Sequence, residues 1–314
     1  MTRPGAVTVT LNPAIDQTLS IPGFAAGREN RVAESWSHAG GKGVNVACVL
    51  ADLGVAVTVT GFLGAGNAEP FEAAFARKGI TDRFVRIPGG TRLGIKIVDD
   101  VTGQTTDINF PGLAPRTEDL EQLFERIDAL AGPDGWIVLS GSVPAGVADG
   151  VYAAMIELIH GRGGRVLLDT SGRPLREGLA RAPEVMKPNI EELGELVGQA
   201  LATPADVRAA AESLLARGVR LVVVSMGSDG ALLMNRERSL LARPPRVPVR
   251  STAGAGDAMV AGIVYGMIHG LPLEDLARMA TAGGAHAVTR IGPGIEDRSV
   301  YRKLIEQVEI EPLP

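Results

Sequence analysis

Residues 136–170 read WIVLSGSVPAGVADGVYAAMIELIHGRGGRVLLDT. Two short and almost wholly apolar runs, WIVLSG (136–141) and RVLLDT (165–170), flank DGVYAAMIELIHGRG, whose apolar spacing is helical. A strand with no polar alternation is buried on both faces, and strands alternating with helices imply a parallel sheet covered on both sides. The same pattern extends in both directions. Upstream, AVTVTL (6–11) reads as a strand that stops at Asn12-Pro13, VNVACVLADLG (44–54) as a helix closed by Gly54, VAVTVTGFLG as a strand and PFEAAFARKG as a helix. Downstream, PADVRAAAESLLARG is helical and LVVVSMG (221–227) is again a strand. The expected fold is α/β, with a doubly wound, mostly parallel sheet flanked by helices.

Two segments break the alternation. QTLSI with RVAESWSH (17–38), and LGIKIVDD with QTTDINF around the turn VTGQ, look like half-exposed strands with no helix beside them. They predict a small antiparallel sheet built from insertions at about 16–38 and 92–111. One face of such a sheet is polar and the other apolar, so it must cover an active site or a partner subunit.

Bulk properties exclude several classes. The 314 residues carry 31 Lys and Arg against 36 Asp and Glu, a formal charge of −5, which leaves no broad footprint for nucleic acid. The 40 glycines and 20 prolines fall singly at segment ends and form no low-complexity tract. A lone cysteine, Cys48, excludes an intrachain disulfide and argues against a cysteine-built zinc site. MTRPGAVTVTLN has no charged-then-apolar leader layout, and no apolar run approaches the ~20 residues of a membrane span. A soluble cytoplasmic protein is expected.

The chemistry concentrates in STAGAGDAMVAGIVYGMIHG, residues 251–270. GGKG (40–43) is no P-loop, because Gly follows the lysine, and Met259 stands where a dinucleotide fingerprint needs its third glycine. Small residues before the helix nevertheless let the backbone N–H groups of 253–257 converge at its positive end. That suits the charge spread over a phosphoryl group in transfer. Asp257 can be a plain helix-start acid, or it can accept a proton from a hydroxyl nucleophile. The helix-terminal field is expected to keep it ionised for that task.

TAGAGDAMVAG resembles the C-terminal signature of the PfkB (ribokinase-like) sugar kinases, and GGKGVNVACVLADLG resembles their N-terminal glycine signature. TRLGIKI, TDINFPG, LSGSVPAG, LDTSG, KPNIEEL and VVVSMGSDGA stand in the right order between them. LNPAID, GGKG and TDINFPG are closest to the hexose-phosphate branch. The resemblance implies one kinase domain over 1–314, ATP and Mg²⁺ as cosubstrates, and a β lid often shared across a homodimer. No membrane or nucleic-acid partner is implied.

By motif, Asp257 is the implied base and Ala253, Gly254, Ala255 and Gly256 the anion hole. Asp16, Gly40, Gly41, Lys42 and Asn45 are implied sugar-side residues, with Arg92 on the substrate's phosphate and Arg31 a second candidate for that anion. Lys187, Asn189, Ser225, Gly227 and Gly230 match the nucleotide side, and Glu192 a carboxylate acting on Mg²⁺ through water. The four histidines are assigned to packing or surface. Fructose 1-phosphate is the leading substrate expectation. Tagatose 6-phosphate, fructose 6-phosphate and an unphosphorylated sugar or nucleoside are alternatives, as is a catalytically silent sugar-phosphate sensor. Gly94 departs from the branch, which usually has Asn there.

Overall fold

A computed structural model describes residues 5–133 and 135–313. The first four residues of MTRPGAVTVTLN lie outside that range. In chain order the elements are β1 (Ala6–Thr10), β2 (Ala14–Ser20), β3 (Glu34–Gly40), α1 (Lys42–Asp52), β4 (Val57–Gly64), α2 (Glu69–Lys78), β5 (Thr81–Asp82) and β6 (Val85–Ile87). Then come β7 (Arg92–Asp99), β8 (Gln104–Asn109), α3 (Thr117–Leu130), β9 (Trp136–Ser140), α4 (Val151–Gly161), β10 (Arg165–Asp169), α5 (Gly172–Leu179), β11 (Val185–Met186) and α6 (Ile190–Val197). The chain continues through α7 (Pro204–Ala216), β12 (Leu221–Ser225), β13 (Ala231–Met234), β14 (Ser239–Arg243), α8 (Ala255–Ile268), α9 (Leu273–Val288), α10 (Arg298–Gln307) and β15 (Glu309–Leu313).

The main sheet runs β15-β14-β13-β12-β11-β10-β9-β1-β4-β5, with β6 against β4. Pairing is parallel from β12 to β5 and antiparallel from β12 through β15. Every residue of β9 is buried, because helices cover both faces. Two apolar clusters form. One joins α1, α8, α9 and α10 to the sheet, and the other joins α3, α4, α5 and α7 to it. Tyr152 of α4 is completely buried, and its hydroxyl donates to the Gly141 carbonyl at 3.1 Å. Thr170 Oγ1 donates to the same carbonyl at 2.9 Å, so the ends of β9 and β10 are pinned together.

The two insertions form a separate four-stranded sheet in the order β3-β2-β7-β8. Its outer pairs, β2–β3 and β7–β8, are antiparallel as expected, but the central β2–β7 pair is parallel. The reason is topological. β2 follows β1 and β7 follows β6, and these two strands point the same way in the main sheet, so both insertions leave its C-terminal edge in one direction. The small sheet therefore stands over the ends of the parallel strands. Among the described residues no helix is long and apolar enough to cross a membrane.

Candidate active site

Gly254 takes the left-handed conformation (φ 78°) as the N-cap of α8, which a Cβ would disfavour. Ser251 Oγ accepts the Ala253 N–H at 3.2 Å, and the Thr252 carbonyl accepts that of Ala255 at 3.4 Å. Ala253 is thus occupied, and the N–H groups of Gly254, Gly256 and Asp257 are the ones without a protein acceptor among the described residues. Fewer N–H groups are therefore open than the 253–256 stretch suggested. Asp257 is buried, and its Oδ2 accepts Asn45 Nδ2 at 2.7 Å. Asn45 Oδ1 is itself buried without a partner, free to accept from a ligand hydroxyl. Burial above all, and the nearby Asp169 carboxylate next, raise Asp257 to about 6, against the pull of Lys42, Asn45 and Lys187. Desolvation lifts the acid, yet at neutral pH a carboxyl with a midpoint of about 6 is still mostly ionised, as a proton acceptor must be.

Beneath this loop lies Asp169, the last residue of β10, whose side chain is 1% exposed. Lys187 Nζ stands 3.2 Å and Lys42 Nζ 3.3 Å from the same oxygen, Oδ1, while Ser140 Oγ donates to Oδ2 at 3.0 Å. Burial pushes the Asp169 carboxyl up, but the lysine charges and these hydrogen bonds outweigh it and the net shift is down. Burial likewise pulls Lys42 down, and Asp169, Asp257 and Glu192 overcome it and keep the ammonium charged.

The small sheet contributes the opposite wall of a cleft of about 640 Å³. Asp16 of β2 lies between two glycines. A Cβ on Gly40 would overlap its Oδ2, and one on Gly94 would stand 2.6 Å from its Oδ1. Burial raises Asp16 to about 6, with Arg92 and Lys96 pulling it back. Arg92 donates to Asn12 Oδ1 at 3.1 Å and to Asn109 Oδ1 at 3.4 Å. Residues 92, 94 and 96 share one face of β7, and Lys96 pairs with Asp107 across the strands. Gly41 (φ 106°) makes the turn into α1. Arg31 does not join them. Its side chain is 88% exposed and pairs with Glu29.

On the far side a second cavity, about 730 Å³, shares Ser225 and Gly256 with the cleft. Gly227 and Gly230 line it, with Pro245, Val247, Met259 and Val288 as apolar walls. Gly230 (φ 99°) approaches the Ala242 backbone too closely for any side chain. Asn189 caps α6, accepting the Glu192 N–H at 2.7 Å, while Glu192 Oε2 accepts the Asn189 N–H at 2.9 Å. Both residues still face the cleft. The arrangement offers a compartment with apolar walls, a cationic floor with open N–H groups, and a polar compartment ending in an arginine.

Residues 9–298 match the pfkB family carbohydrate kinase model. The chain belongs to that family. It is 46% identical over 308 residues to the 1-phosphofructokinase of Rhodobacter capsulatus, covering 98% of both chains. It is 41% identical to the 1-phosphofructokinase of Vibrio cholerae, covering 98% of this chain and 96% of the relative. Escherichia coli phosphofructokinase-2, solved with substrates and products, superposes with a TM-score of 0.91 at 30% identity, over 96% of this chain and 99% of that one. The protein is accordingly an ATP-dependent sugar kinase with the family's α/β fold.

Within this pfkB kinase the structure gathers Asp16, Lys42, Asn45, Arg92, Lys187, Glu192 and Asp257 in one cleft, with Gly40 behind Asp16. Sequence reading assigned no role to Asp169, Lys96, Asp107, Asn109 or Asn12. The motif LDTSG marked Asp169, but a strand-end carboxylate gives no hint of two lysines arriving from elsewhere. Two histidines assigned to packing or surface face the cleft as well. His38 Nε2 is 4.0 Å from Asp16 Oδ2, and burial lowers its pKa. His286 is buried with its ring against the edge of Tyr301.

Proposed function

We propose that the protein transfers the γ-phosphoryl group of ATP to O6 of D-fructose 1-phosphate, giving fructose 1,6-bisphosphate and ADP. The observation that carries this is the buried Asp257 carboxylate, fixed by Asn45 at 2.7 Å beside open N–H groups, in a cleft whose other end holds Arg92. The relatives named 1-phosphofructokinase support the choice of sugar. Asp257 takes the O6 proton as O6 bonds to the γ-phosphorus, and the bond from that phosphorus to the β-phosphate bridging oxygen breaks toward ADP. Gly254 and Gly256 N–H groups with Lys187 receive the charge of the travelling group. Asp16 and Asn45 accept sugar hydroxyls, and the apolar cavity behind Ser225 takes the nucleoside.

Glu192 offers a carboxylate oxygen to the cleft, which fits a hard cation that keeps most of its water. Mg²⁺ bound there with ATP would neutralise phosphate charge. Glu192 is the residue to hold it, since one of its oxygens is committed to the helix cap and the other is not.

A second reading, fructose 6-phosphate as acceptor, is favoured by the likeness to the Escherichia coli phosphofructokinase-2 solved with that sugar. A silent sensor is disfavoured, since sugar-phosphate binding needs no buried base. Steady-state kinetics on fructose 1-phosphate, fructose 6-phosphate and tagatose 6-phosphate separate the sugars. In Arg92→Ala, KM for the phosphorylated sugar rises about 100-fold with kcat little changed, the loss of one charge-assisted contact. Unphosphorylated fructose, used poorly by both proteins, loses nothing further. An equal loss on fructose removes Arg92 from the phosphate.

The lid also supports a homodimer. Ile108 of β8, Val32 just before β3 and Phe110 just after β8 are 45%, 49% and 45% exposed in that order, apolar side chains without a cover at the lid. Sedimentation equilibrium gives twice the chain mass for the wild type, and Phe110→Glu shifts it toward one chain. A monomeric wild type rejects the dimer.

A further inference from the structure

Asp169 is a fully buried carboxylate at the floor of the cleft, and one lysine would be enough to neutralise it. It has two. Lys187, 4% exposed, comes from the end of β11, and its Nζ lies 3.5 Å from the place a Gly256 Cβ would take, beside the open N–H groups. Lys42 is the first residue of α1, where the helix dipole disfavours a cation, so something must hold it there. Asp169 does, at 3.3 Å. Three residues further along α1, on the same face, Asn45 grips Asp257. One short helix start thus links the proton acceptor to the buried carboxylate.

We propose that Asp169 is the positioning residue of the transfer step: it draws Lys42 and Lys187 to one oxygen and so fixes a surplus positive charge at the floor of the cleft. The inference rests on the kinase chemistry above and not on which hexose phosphate is the acceptor. If Asp169 were only a packing group, its charge would be felt by the fold alone. As a positioning group it acts on the reacting atoms, and on Asp257 with the opposite sign to Lys42.

The experiment compares wild type, Asp169→Asn and Lys42→Met by steady-state kinetics and by carboxyl-labelled aspartate NMR. In Asp169→Asn, folded by circular dichroism, kcat falls by about 100-fold or more as the lysines lose their anchor. The Asp257 titration midpoint, about 6 in the wild type, moves down because a neighbouring negative charge is gone. In Lys42→Met the midpoint moves up, because a positive charge is gone. Folded Asp169→Asn with kcat within about threefold of wild type, or midpoints unmoved in both variants, overturns the proposal. Should Asp169→Asn fail to fold, Lys42→Met decides alone, since its side chain is 40% exposed and its loss is tolerable to the fold. A wild type that turns over no hexose phosphate rejects the proposed function instead; the opposite midpoint movements still sustain the charge coupling, and their absence still overturns it.

Discussion

Asp257→Asn lowers kcat by about 10³-fold to 10⁴-fold, while ATP and sugar affinities stay within a few-fold. Asparagine keeps the shape and can still contact Asn45 after an amide rotation, so binding and geometry survive. What it cannot do is take the proton of the attacking hydroxyl. The same substitution makes the protein more stable. Burial raises the Asp257 pKa from 3.8 to about 6, so the folded state holds its proton more tightly than the unfolded chain does. That group's contribution to stability is therefore greatest below pH 3.8 and is lost as pH rises toward 6. At neutral pH the ionised acid is a liability on the order of 2 kcal/mol, which asparagine relieves. Wild-type kcat/KM should fall as pH drops below about 6, steeply, because Asp16 is protonated over the same range. Stopped-flow rates, a pH–rate profile and thermal melts check all three. An Asp257→Asn variant with near-normal kcat removes the base from this position.

Gly61→Ala should cost roughly 3–5 kcal/mol, a large part of the stability of an ordinary domain. Gly61 sits in β4 opposite Thr10 of β1, at φ 128°, and an added Cβ would overlap the Thr10 carbonyl oxygen. Neither strand can yield, since both lie inside the sheet with neighbours on each side. Gly79→Ala is the matched control: φ is 66° but nothing lies within 4 Å of the new methyl, so the cost is about 1 kcal/mol. Urea denaturation midpoints of the two variants measure the difference. Equal midpoints would mean the β1–β4 register is softer than the close approach implies. Thr10 is also the last residue of β1 before the turn that carries Asn12 and leads into β2 with Asp16, so activity should weaken with stability in Gly61→Ala.

The alternation of apolar strands and helices was legible because a strand buried on both faces has no way to hide its composition. The lid strands were legible for the opposite reason, as half-polar runs without a helix to cover them. Their parallel centre was not, since it depends on where each insertion leaves the main sheet. Asp257 and its glycines stand together in the chain and could be read together. Asp169 could not: its meaning comes from Lys42, Lys187 and Ser140, which reach it from α1, from just past β11 and from β9. The nucleoside compartment was half visible. Its glycine turn at 227–230 is a sequence signal, but the walls at Val247, Met259 and Val288 are plain apolar residues brought together only by folding.

The packing of Asp16 between Gly40 and Gly94 constrains how this protein can change. With a Cβ at 94 only 2.6 Å from Asp16 Oδ1, an amide at that position and the present rotamer of Asp16 claim the same volume. A designer who installs Asn at 94 to widen sugar choice gains a donor and displaces a carboxylate in the same stroke. The two positions are coupled through a side-chain tip: asparagine at 94 asks the Asp16 carboxylate to turn aside, so one substitution alters two sugar-facing groups at once.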